Sequence, residues 1–206
     1  MGKRGSTKRW LQRQSSDPFV KQRDQQGVRS RATFKLDELI AKERLISRGG
    51  KVVDLGAAPG GWSQRAAEIV GPKGTVIAVD ILEMAPISGV GIIQGDIRSP
   101  EIISQVTDLI GENSADLVLS DMAPNITGIR DADEANFLSI AEAVLDVASY
   151  VLRAEGSLIL KLFQFAGTDA FVKDLKQRFA RVSRKKPLAS RKHSKEFYVV
   201  ATGYKL

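Results

Sequence analysis

A glycine-rich segment that joins an apolar run to a helix-like stretch constrains the fold of this chain most. Residues 52–63 read VVDLGAAPGGWS, so an apolar strand is followed by small residues and then by a helix. Glycine allows a sharp backbone turn and lets a ligand approach without a Cβ atom in the way. Free N–H groups at the start of a helix add a partial positive charge. The segment therefore predicts a ligand-binding turn, with Gly56 as a candidate contact.

Strand-like and helix-like segments alternate along the chain, and this alternation predicts the architecture. Strands are expected near residues 51–55, 75–80, 91–96, 115–121, 157–163, 181–187 and 196–204. Helices are expected near residues 30–45, 61–70, 99–110, 132–153 and 168–179. Alternation favours a parallel sheet with helices on both faces, but the short 188–195 connection implies that the last two strands pair antiparallel. The prediction is an α/β fold with a doubly wound, Rossmann-like, seven-stranded, mostly parallel sheet and one antiparallel strand.

Acidic residues at the ends of the next two predicted strands indicate a class of cofactor. Asp80 ends the second strand and Asp96 ends the third, and such strand ends line the crevice where open α/β sheets bind nucleotides. The dinucleotide fingerprint G-x-G-x-x-G requires glycine where Ala58 stands, so a pyrophosphate site is disfavoured. S-adenosylmethionine fits better, because its ribose diol suits Asp80 and its adenine amine suits Asp96.

Two charged side chains stand in or beside apolar runs. Lys161 lies inside the run at 157–163, and Asp121 closes the run at 117–121. Removing a charged group from water is costly unless it has a partner or opens onto a cavity. A buried structural ion pair would also explain a lysine in a core strand, but the glycine-rich segment upstream favours a functional site.

Three groups of residues together resemble a known family. They are the DLGAAPGGWS sequence at 54–63, the SDMAPN sequence at 120–125, and the tetrad Lys35, Asp121, Lys161 and Glu196. These features are similar to those of the FtsJ/RrmJ family of RNA ribose 2′-O-methyltransferases. The similarity runs from about residue 10 to the C-terminus and includes SRATFKL at 30–36. Within that family, the chain looks most like bacterial members that methylate a uridine ribose of large-subunit ribosomal RNA.

The resemblance implies a role for each matching residue. It places Lys35, Asp121, Lys161 and Glu196 in the reaction centre, with Lys161 as the proton acceptor. It also implies the Rossmann-like fold of S-adenosylmethionine-dependent methyltransferases. The residues expected to contact the cofactor are Gly60, Trp62, Asp80, Asp96 and Asp121, together with Gly56 from the glycine-rich turn.

The charge distribution indicates a polyanionic partner. The formal net charge of the whole chain is +7. Residues 1–35 carry +8, residues 36–172 carry −10, and residues 173–206 carry +9. Two basic flanks around an acidic centre are typical of proteins that bind a phosphate backbone. Solvated tails or an anionic membrane surface would also explain basic flanks, but no amphipathic helix accompanies them. We therefore expect a basic RNA-binding extension at 1–29 and a catalytic domain at 30–206.

Composition narrows the classes of site and location. The chain has no cysteine and a single histidine, His193, so neither a thiolate metal site nor a histidine zinc site is expected. No run of about 18 apolar residues is present, and the start of the sequence lacks the apolar stretch of a secretory signal. The sequence predicts a cytoplasmic monomer that binds no metal.

Three functions remain open from the sequence. The first is methyl transfer to the 2′-hydroxyl of a uridine in 23S ribosomal RNA, on the assembled large subunit. The second is the same chemistry on a tRNA or an mRNA cap, and the third is an RNA-binding factor for ribosome assembly. Base methylation fits less well, because residues 122–125 supply no aromatic side chain and cytosine C5 chemistry needs a cysteine. An intact tetrad weighs against a protein that only binds RNA.

Overall fold

Seven strands form one sheet in the computed structural model, which describes residues 29–41, 43–124, 127–190 and 194–206. The strands are β1 (Lys51–Leu55), β2 (Thr75–Asp80), β3 (Val90–Gln94), β4 (Ala115–Ser120), β5 (Leu152–Phe163), β6 (Phe179–Lys185) and β7 (Glu196–Tyr204). Their order across the sheet is β3-β2-β1-β4-β5-β7-β6. β7 runs antiparallel to both β5 and β6, and the remaining pairs are parallel. This arrangement confirms the predicted mostly parallel sheet with one reversed strand.

Helices cover both faces of this sheet. They are α1 (Ala32–Ile40), α2 (Gly61–Val70), α3 (Pro100–Ile110), α4 (Arg130–Val151) and α5 (Thr168–Arg178). Successive strand residues point to opposite faces, so Val52 and Leu117 pack with α1 and α2 while Val53 and Val118 pack with the other three helices. The strands at the centre are therefore apolar on both sides, as the sequence of a doubly wound sheet requires.

Two element boundaries differ from the sequence prediction by about five residues, and the others that differ do so by one or two residues: β3 ends at Gln94 rather than at 96, for example, and β6 spans Phe179–Lys185 rather than 181–187. The first helix ends at Ile40 rather than near residue 45, because the carbonyl of Ile40 closes a turn that leads to Arg44, whose φ of 48° is left-handed. β5 begins at Leu152 rather than near residue 157 and continues directly from α4. The sequence prediction missed this part of the strand because residues 153–155 are exposed and do not alternate between apolar and polar side chains.

The topology places one crevice at the centre of the sheet. β1 lies between β2 and β4. The chain adds β2 and β3 on one side of β1 and then crosses over to add β4 on the other side. Ligands of open α/β sheets bind beyond the carboxyl ends of the strands at such a switch point. The turn after β1, the ends of β2 and β3, and the residue after β4 all meet there.

Candidate active site

Four separate elements carry the predicted tetrad. Lys35 lies on α1, Asp121 directly follows β4, Lys161 lies in β5, and Glu196 begins β7. The sheet register explains how they meet. Ser120 pairs with Leu160, and Lys161 pairs with Tyr198 on β7. Asp121 and Lys161 are therefore neighbours across the parallel pair, and Glu196 lies on the strand at the other side of β5.

The tetrad forms two ion pairs. The Nζ atom of Lys35 lies 2.9 Å from Oε1 of Glu196. The Nζ atom of Lys161 lies 3.2 Å from Oδ1 of Asp121 and donates to the backbone carbonyl of Asp121 at 3.0 Å. The side chains of Lys35, Lys161 and Glu196 are 9%, 10% and 11% exposed, whereas the Asp121 side chain is 22% exposed. Asp121 is thus the member of the tetrad that faces outward.

Tyr198 connects the two ion pairs, and the sequence analysis did not identify it. Lys35 donates to the Tyr198 hydroxyl at 2.9 Å, and that hydroxyl donates to Oδ1 of Asp121 at 2.5 Å. Tyr198 is fully buried. A signal was present, because Glu196 and Tyr198 are two residues apart on one strand and therefore point to the same face. The tetrad and Tyr198 form one continuous hydrogen-bonded network.

The charges in this network determine how its groups titrate. Burial opposes ionisation of Glu196, but the nearby Lys35 and, to a smaller extent, Lys161 together outweigh that effect and lower the pKa of this carboxyl below its usual value. Burial and the Asp121 carboxylate raise the pKa of Tyr198 far above its usual value. Glu196 is therefore ionised at neutral pH, and Tyr198 keeps the proton that it donates to Asp121.

A cavity of about 560 Å³ opens at the carboxyl ends of β1, β2 and β4. This volume lies within the usual range for small-molecule sites. Its lining includes Gly56, Asp80, Asp96, Arg98, Asp121 and Met122. Asp121 belongs to both the cavity and the buried network, so the structure joins the predicted cofactor site to the predicted reaction centre.

The two strand-end acids are held by nearby backbone and by one arginine. The Asp80 carboxylate accepts the N–H groups of Ala58 and Leu82, both at 2.8 Å. The Asp96 carboxylate accepts the backbone N–H of Arg98 at 3.0 Å and its guanidinium Nε at 2.9 Å. Hydrogen bonds from Arg98 lower the pKa of Asp96 below its usual value. Sequence reasoning missed Arg98, although it is only two residues from Asp96.

A smaller recess of about 80 Å³ continues beneath the glycine-rich turn. Asp54, Gly56, Trp62 and Asp121 are among its lining residues. Asp54 is 1% exposed and accepts the Ser63 hydroxyl at 2.6 Å. Burial, with a smaller contribution from neighbouring carboxylates, raises the pKa of Asp54 to about 7. The recess therefore places an acid with an unusual pKa next to Asp121.

The predicted contacts Trp62 and Gly60 occupy different positions. Trp62 is 3% exposed, and its indole Nε1 donates to the carbonyl of Ala32 at 2.6 Å, so most of the side chain packs between α2 and α1. Gly60 precedes α2 with a left-handed φ of 99°. It adjoins the recess lining without belonging to it, whereas its neighbours Pro59 and Gly61 do belong.

The shape of the turn after β1 fits a close ligand approach. Gly56 has a left-handed φ of 73°, and a Cβ atom built there would lie 1.9 Å from Cγ of Met122. Only glycine combines this conformation with this space. Acids in the cavity lining and a buried acid in the adjoining recess fit S-adenosylmethionine, whose ribose, adenine amine and ammonium are all hydrogen-bond donors.

Helix α1, which carries Lys35, is fastened at both ends. The guanidinium of Arg29, just before the helix, donates to the carbonyls of Ala85 at 2.9 Å and Pro86 at 2.6 Å. The Glu38 carboxylate accepts the N–H groups of Leu188 at 2.7 Å and Ala189 at 3.0 Å. The helix thus links the loop beside the cofactor cavity to the basic loop between β6 and β7.

Several predicted basic residues lie outside the described residues, namely those at 1–28 and 191–193. Of the described ones, Arg184 pairs with Asp169 and lies 5.1 Å from the centre of the Phe197 ring. Lys186 donates to the carbonyl of Ser194 at 2.8 Å. Within the described ranges, no set of three acidic or histidine side chains is arranged to hold a metal ion. The helices of this described part are all too short or too polar to cross a bilayer.

Comparison with known proteins identifies the family. The model of FtsJ-like methyltransferases matches residues 28–204. A protein of Marinobacter nauticus named ribosomal RNA large subunit methyltransferase E is 48% identical over 206 residues, which is 100% of both chains. Its namesake from Stenotrophomonas maltophilia is 46% identical and covers 96% of this chain and 94% of its own length.

A solved structure of a related protein has the same fold. The crystal structure of a Plasmodium falciparum protein described as a ribosomal RNA methyltransferase superposes with a TM-score of 0.75 and 26% identity. The superposition covers 85% of this chain and 98% of the other. Fold, buried tetrad and sequence similarity lead to the same conclusion: the chain belongs to the FtsJ-like methyltransferase family.

Proposed function

We propose that this protein transfers a methyl group from S-adenosylmethionine to the ribose 2′-hydroxyl of a uridine in 23S ribosomal RNA, within the large ribosomal subunit in the cytoplasm. One observation carries the proposal. The Asp121 carboxylate lines the 560 Å³ cavity and also accepts the Tyr198 hydroxyl and pairs with Lys161. A group that must be near both the methyl donor and the acceptor oxygen occupies such a position.

The residues of the cavity supply the cofactor site. Asp80 and Asp96 would hold the ribose and the adenine amine. Gly56 and Trp62 would form the wall near the methionine end, and Gly60 would set the turn beside it. S-adenosylmethionine, when bound, supplies a methyl group already activated by its sulfonium. What remains for the protein is to place the acceptor hydroxyl in line with that methyl group and to remove its proton.

Lys161 is the group that takes this proton. Its Nζ atom lies 3.2 Å from Oδ1 of Asp121, a residue of the cavity lining, whereas Lys35 is linked to that carboxylate through the Tyr198 hydroxyl. The Lys161 ammonium first releases its own proton to solvent, and the neutral amine then accepts the hydroxyl proton as the oxygen gains its methyl group. The ammonium formed again is stabilised by the Asp121 carboxylate. Asp121 also fixes the direction of the amine through its backbone carbonyl.

Lys35 and Glu196 position the ribose rather than accept its proton. Their ion pair is on the far side of Tyr198 from Lys161. The Tyr198 hydroxyl links Lys35 to Asp121, because it accepts a hydrogen bond from the Lys35 ammonium and donates one to the Asp121 carboxylate. These residues hold the carboxylate of Asp121 in place before the RNA arrives.

The substrate class rests on the names of the relatives and on charge. Relatives that match nearly the full chain are named large-subunit ribosomal RNA methyltransferases. The chain carries +8 in residues 1–35 and +9 in residues 173–206. We assign residues 1–29 to an RNA-binding extension, residues 30–206 to the catalytic domain, and the active unit to a monomer. RNA affinity should then fall steeply as salt is raised.

The test is methyl transfer from labelled S-adenosylmethionine to large ribosomal subunits that lack ribose methylation, with free ribosomal RNA and tRNA in parallel. The expected product is one 2′-O-methyluridine in 23S RNA, located by resistance of the adjacent bond to alkaline cleavage. Label on tRNA alone would refute the substrate while keeping the chemistry. Cofactor binding without any labelled RNA would refute the enzymatic proposal and favour an assembly factor.

A further inference from the structure

An aromatic recess adjoins the reaction centre beside Lys161. Its volume is about 30 Å³, and its exposed lining is entirely apolar. The residues that line it are Ala123, Pro124, Asp133, Phe137, Phe163 and Phe165. Ala123 and Pro124 also line the cofactor cavity, so the recess and the cavity share one wall.

Three phenylalanine rings build the recess. The Phe137 and Phe163 rings meet edge to face with centroids 5.1 Å apart, and Phe165 lies 5.9 Å from Phe137. Phe137 is 2% exposed and forms the floor, whereas the other two rings are partly exposed. Such partly exposed rings in a fixed cluster are a surface on which a flat heteroaromatic group can stack.

The backbone that carries Phe165 is held in place. Its N–H donates to the Thr168 hydroxyl at 3.1 Å, and that hydroxyl donates to the carbonyl of Phe163 at 2.7 Å. Thr168 is fully buried. The N–H of Gly167 donates to the Glu134 carboxylate on α4 at 2.6 Å. The ring of Phe165 is thus presented by a loop whose hydrogen bonds tie it to the helix that supplies the floor.

Asp133 does not make the recess a charged site. Its Oδ1 atom accepts the backbone N–H and the hydroxyl of Thr127, each at 2.7 Å, and its Oδ2 atom accepts the N–H of Gly128 at 3.1 Å. These bonds lower the pKa of Asp133 below its usual value. The carboxylate orders the residues before α4, and the surface left for a ligand is apolar.

The recess lies one ring away from the proton acceptor. Lys161 and Phe163 are two residues apart on β5, and the Nζ atom of Lys161 is 5.8 Å from the centre of the Phe163 ring. In a nucleotide, the base is attached to the ribose carbon next to the one that bears the 2′-hydroxyl. Once that hydroxyl is at Lys161, the base can reach only surfaces that directly adjoin the reaction centre.

The groups around the centre differ in chemistry. Lys35 and Glu196 form a buried ion pair, which suits the sugar and phosphates. Phe163, which pairs with Glu196 across β5 and β7, continues into the apolar surface of Pro124 and Phe165, which suits the face of a base. We propose that this aromatic recess receives the pyrimidine base of the nucleotide being methylated, with Phe165 as the stacking surface. The assignment rests on the proposed function, since it requires an RNA ribose at Lys161.

The size of the recess fixes how the base binds. A volume of about 30 Å³ is close to that of one water molecule, so the recess takes one edge of a base and leaves the rest on the partly exposed rings. Stacking is tolerant of base identity, because every base has a π-face. The recess therefore does not by itself distinguish uracil from cytosine. Its role is to hold the target nucleotide out of the base stack of the RNA.

The test is a two-by-two comparison of protein and RNA. Large subunits are reconstituted with an RNA segment that carries either the target uridine or an abasic ribose, which keeps the 2′-hydroxyl and lacks the base. Phe165→Ala should lower kcat/KM on the uridine RNA about 10- to 100-fold, the usual effect of removing one base–aromatic stack. The wild type on abasic RNA should lose a similar factor, and the combination should lose little more.

Two variants control for folding. Phe165→Tyr keeps a stacking ring and should retain most of the wild-type kcat/KM. Tyr150→Ala removes an aromatic side chain that is 55% exposed at the far end of α4 and should change nothing. Cofactor affinity, measured by calorimetry, should be equal in all four proteins. Multiplicative losses from Phe165→Ala and the abasic ribose would overturn the stacking site, as would full activity of Phe165→Ala. An inactive wild type on uridine RNA would instead overturn the proposed function.

Discussion

The cofactor cavity and the reaction centre, the two sides of the candidate active site, hold their polar groups in different ways. On the cofactor side, at the ends of β2 and β3, Asp80 and Asp96 each bond to a backbone N–H two residues ahead. On the acceptor side, the bonds of Lys161, Tyr198 and Lys35 join residues 40, 77 and 163 positions apart. The first side is built mainly from local turns, apart from the bond of Asp80 to the N–H of Ala58, 22 positions away, and it is partly exposed. The second side is buried and depends on the assembled sheet.

This difference predicts where function and stability are coupled. A rim carboxylate that loses a local partner can bond to water instead. A buried charge that loses its partner remains in an apolar environment, and its desolvation is no longer compensated. Substitutions on the acceptor side should therefore affect both catalysis and folding, while those on the cofactor side should mainly affect ligand binding.

The largest expected effect is on catalysis at Lys161. Lys161→Ala should lower kcat by about 10²- to 10⁴-fold, the usual contribution of a general base, while the affinity for S-adenosylmethionine stays nearly unchanged. Single-turnover methyl transfer and calorimetry measure the two quantities. An equal loss of both would show that Lys161 serves the cofactor site instead.

Lys161→Arg separates proton removal from simple charge. Arginine keeps a positive charge beside Asp121 but does not lose its proton in proteins. Transfer should therefore be nearly as slow as in Lys161→Ala. Substantial activity of the arginine variant would mean that the side chain stabilises a developing negative charge and that another group takes the proton.

The second effect is on stability at Lys35. Lys35→Ala leaves the Glu196 carboxylate buried without its closest partner, and the free energy of unfolding should fall by about 3–5 kcal/mol. Urea denaturation measures this change. The double variant Lys35→Met with Glu196→Gln removes both charges and should recover most of it.

A surface ion pair on the same helix provides the control. Arg65 and Asp37 join α2 to α1 at 2.7 Å, but both side chains are more than a third exposed. Arg65→Ala should therefore cost less than about 1 kcal/mol. Equal losses from Lys35→Ala and Arg65→Ala would contradict the distinction between a buried and a solvated pair.

The same distinction explains what the sequence revealed. The bounds of β1, β2, β7 and α2 agree with the predicted ranges, because each is set by local apolar patterns and by nearby glycines. Several residues of the cavity lining were predicted from one glycine-rich segment and two strand ends. The tetrad was predicted because two of its members stand in or beside apolar runs and because the family resemblance names all four. The structure brings these residues together, and their roles in cofactor binding and catalysis stay predictions.

What the sequence did not reveal depends on register and on crossing elements. The role of Tyr198 follows from its pairing with Lys161 across β5 and β7. Its spacing from Glu196 places it on the same strand face, but only the register shows that it bonds to both Lys35 and Asp121. The aromatic recess joins Phe137 from α4 to Phe163 and Phe165, which a reading along the chain does not bring together. Contacts between distant segments require the sheet order.

The third effect is on pH dependence at Asp54. Because burial raises the pKa of Asp54 to about 7, the folded protein holds a proton that the unfolded chain has already lost between about pH 4 and 7. The contribution of Asp54 to the free energy of unfolding should therefore fall as pH rises through this window, by roughly 1.4 kcal/mol per pH unit. Above pH 7 it should stay constant.

Asp54→Asn isolates this contribution. Asparagine can still accept the Ser63 hydroxyl but does not titrate, so the variant should lack the slope. The measurement is the difference in unfolding free energy between wild type and variant at pH 4, 5.5, 7 and 8. A difference that is the same at all four values would show that Asp54 titrates normally despite its burial.

The smallest effect is expected at Arg98, on the exposed rim. Its ion pair with Asp96 has side chains 62% and 40% exposed, so Arg98→Ala should leave thermal stability almost unchanged. The pKa of Asp96, which Arg98 lowers, should return toward its usual value, and the acid limb of cofactor binding should move to higher pH. A calorimetric titration between pH 3 and 6 detects this shift. Because the carboxylate is solvated, loss of Arg98 changes its charge state without exposing a buried group, which is the opposite of the outcome expected for Lys35. A large loss of stability in Arg98→Ala would mean that the cofactor side, too, is held by more than its local turns.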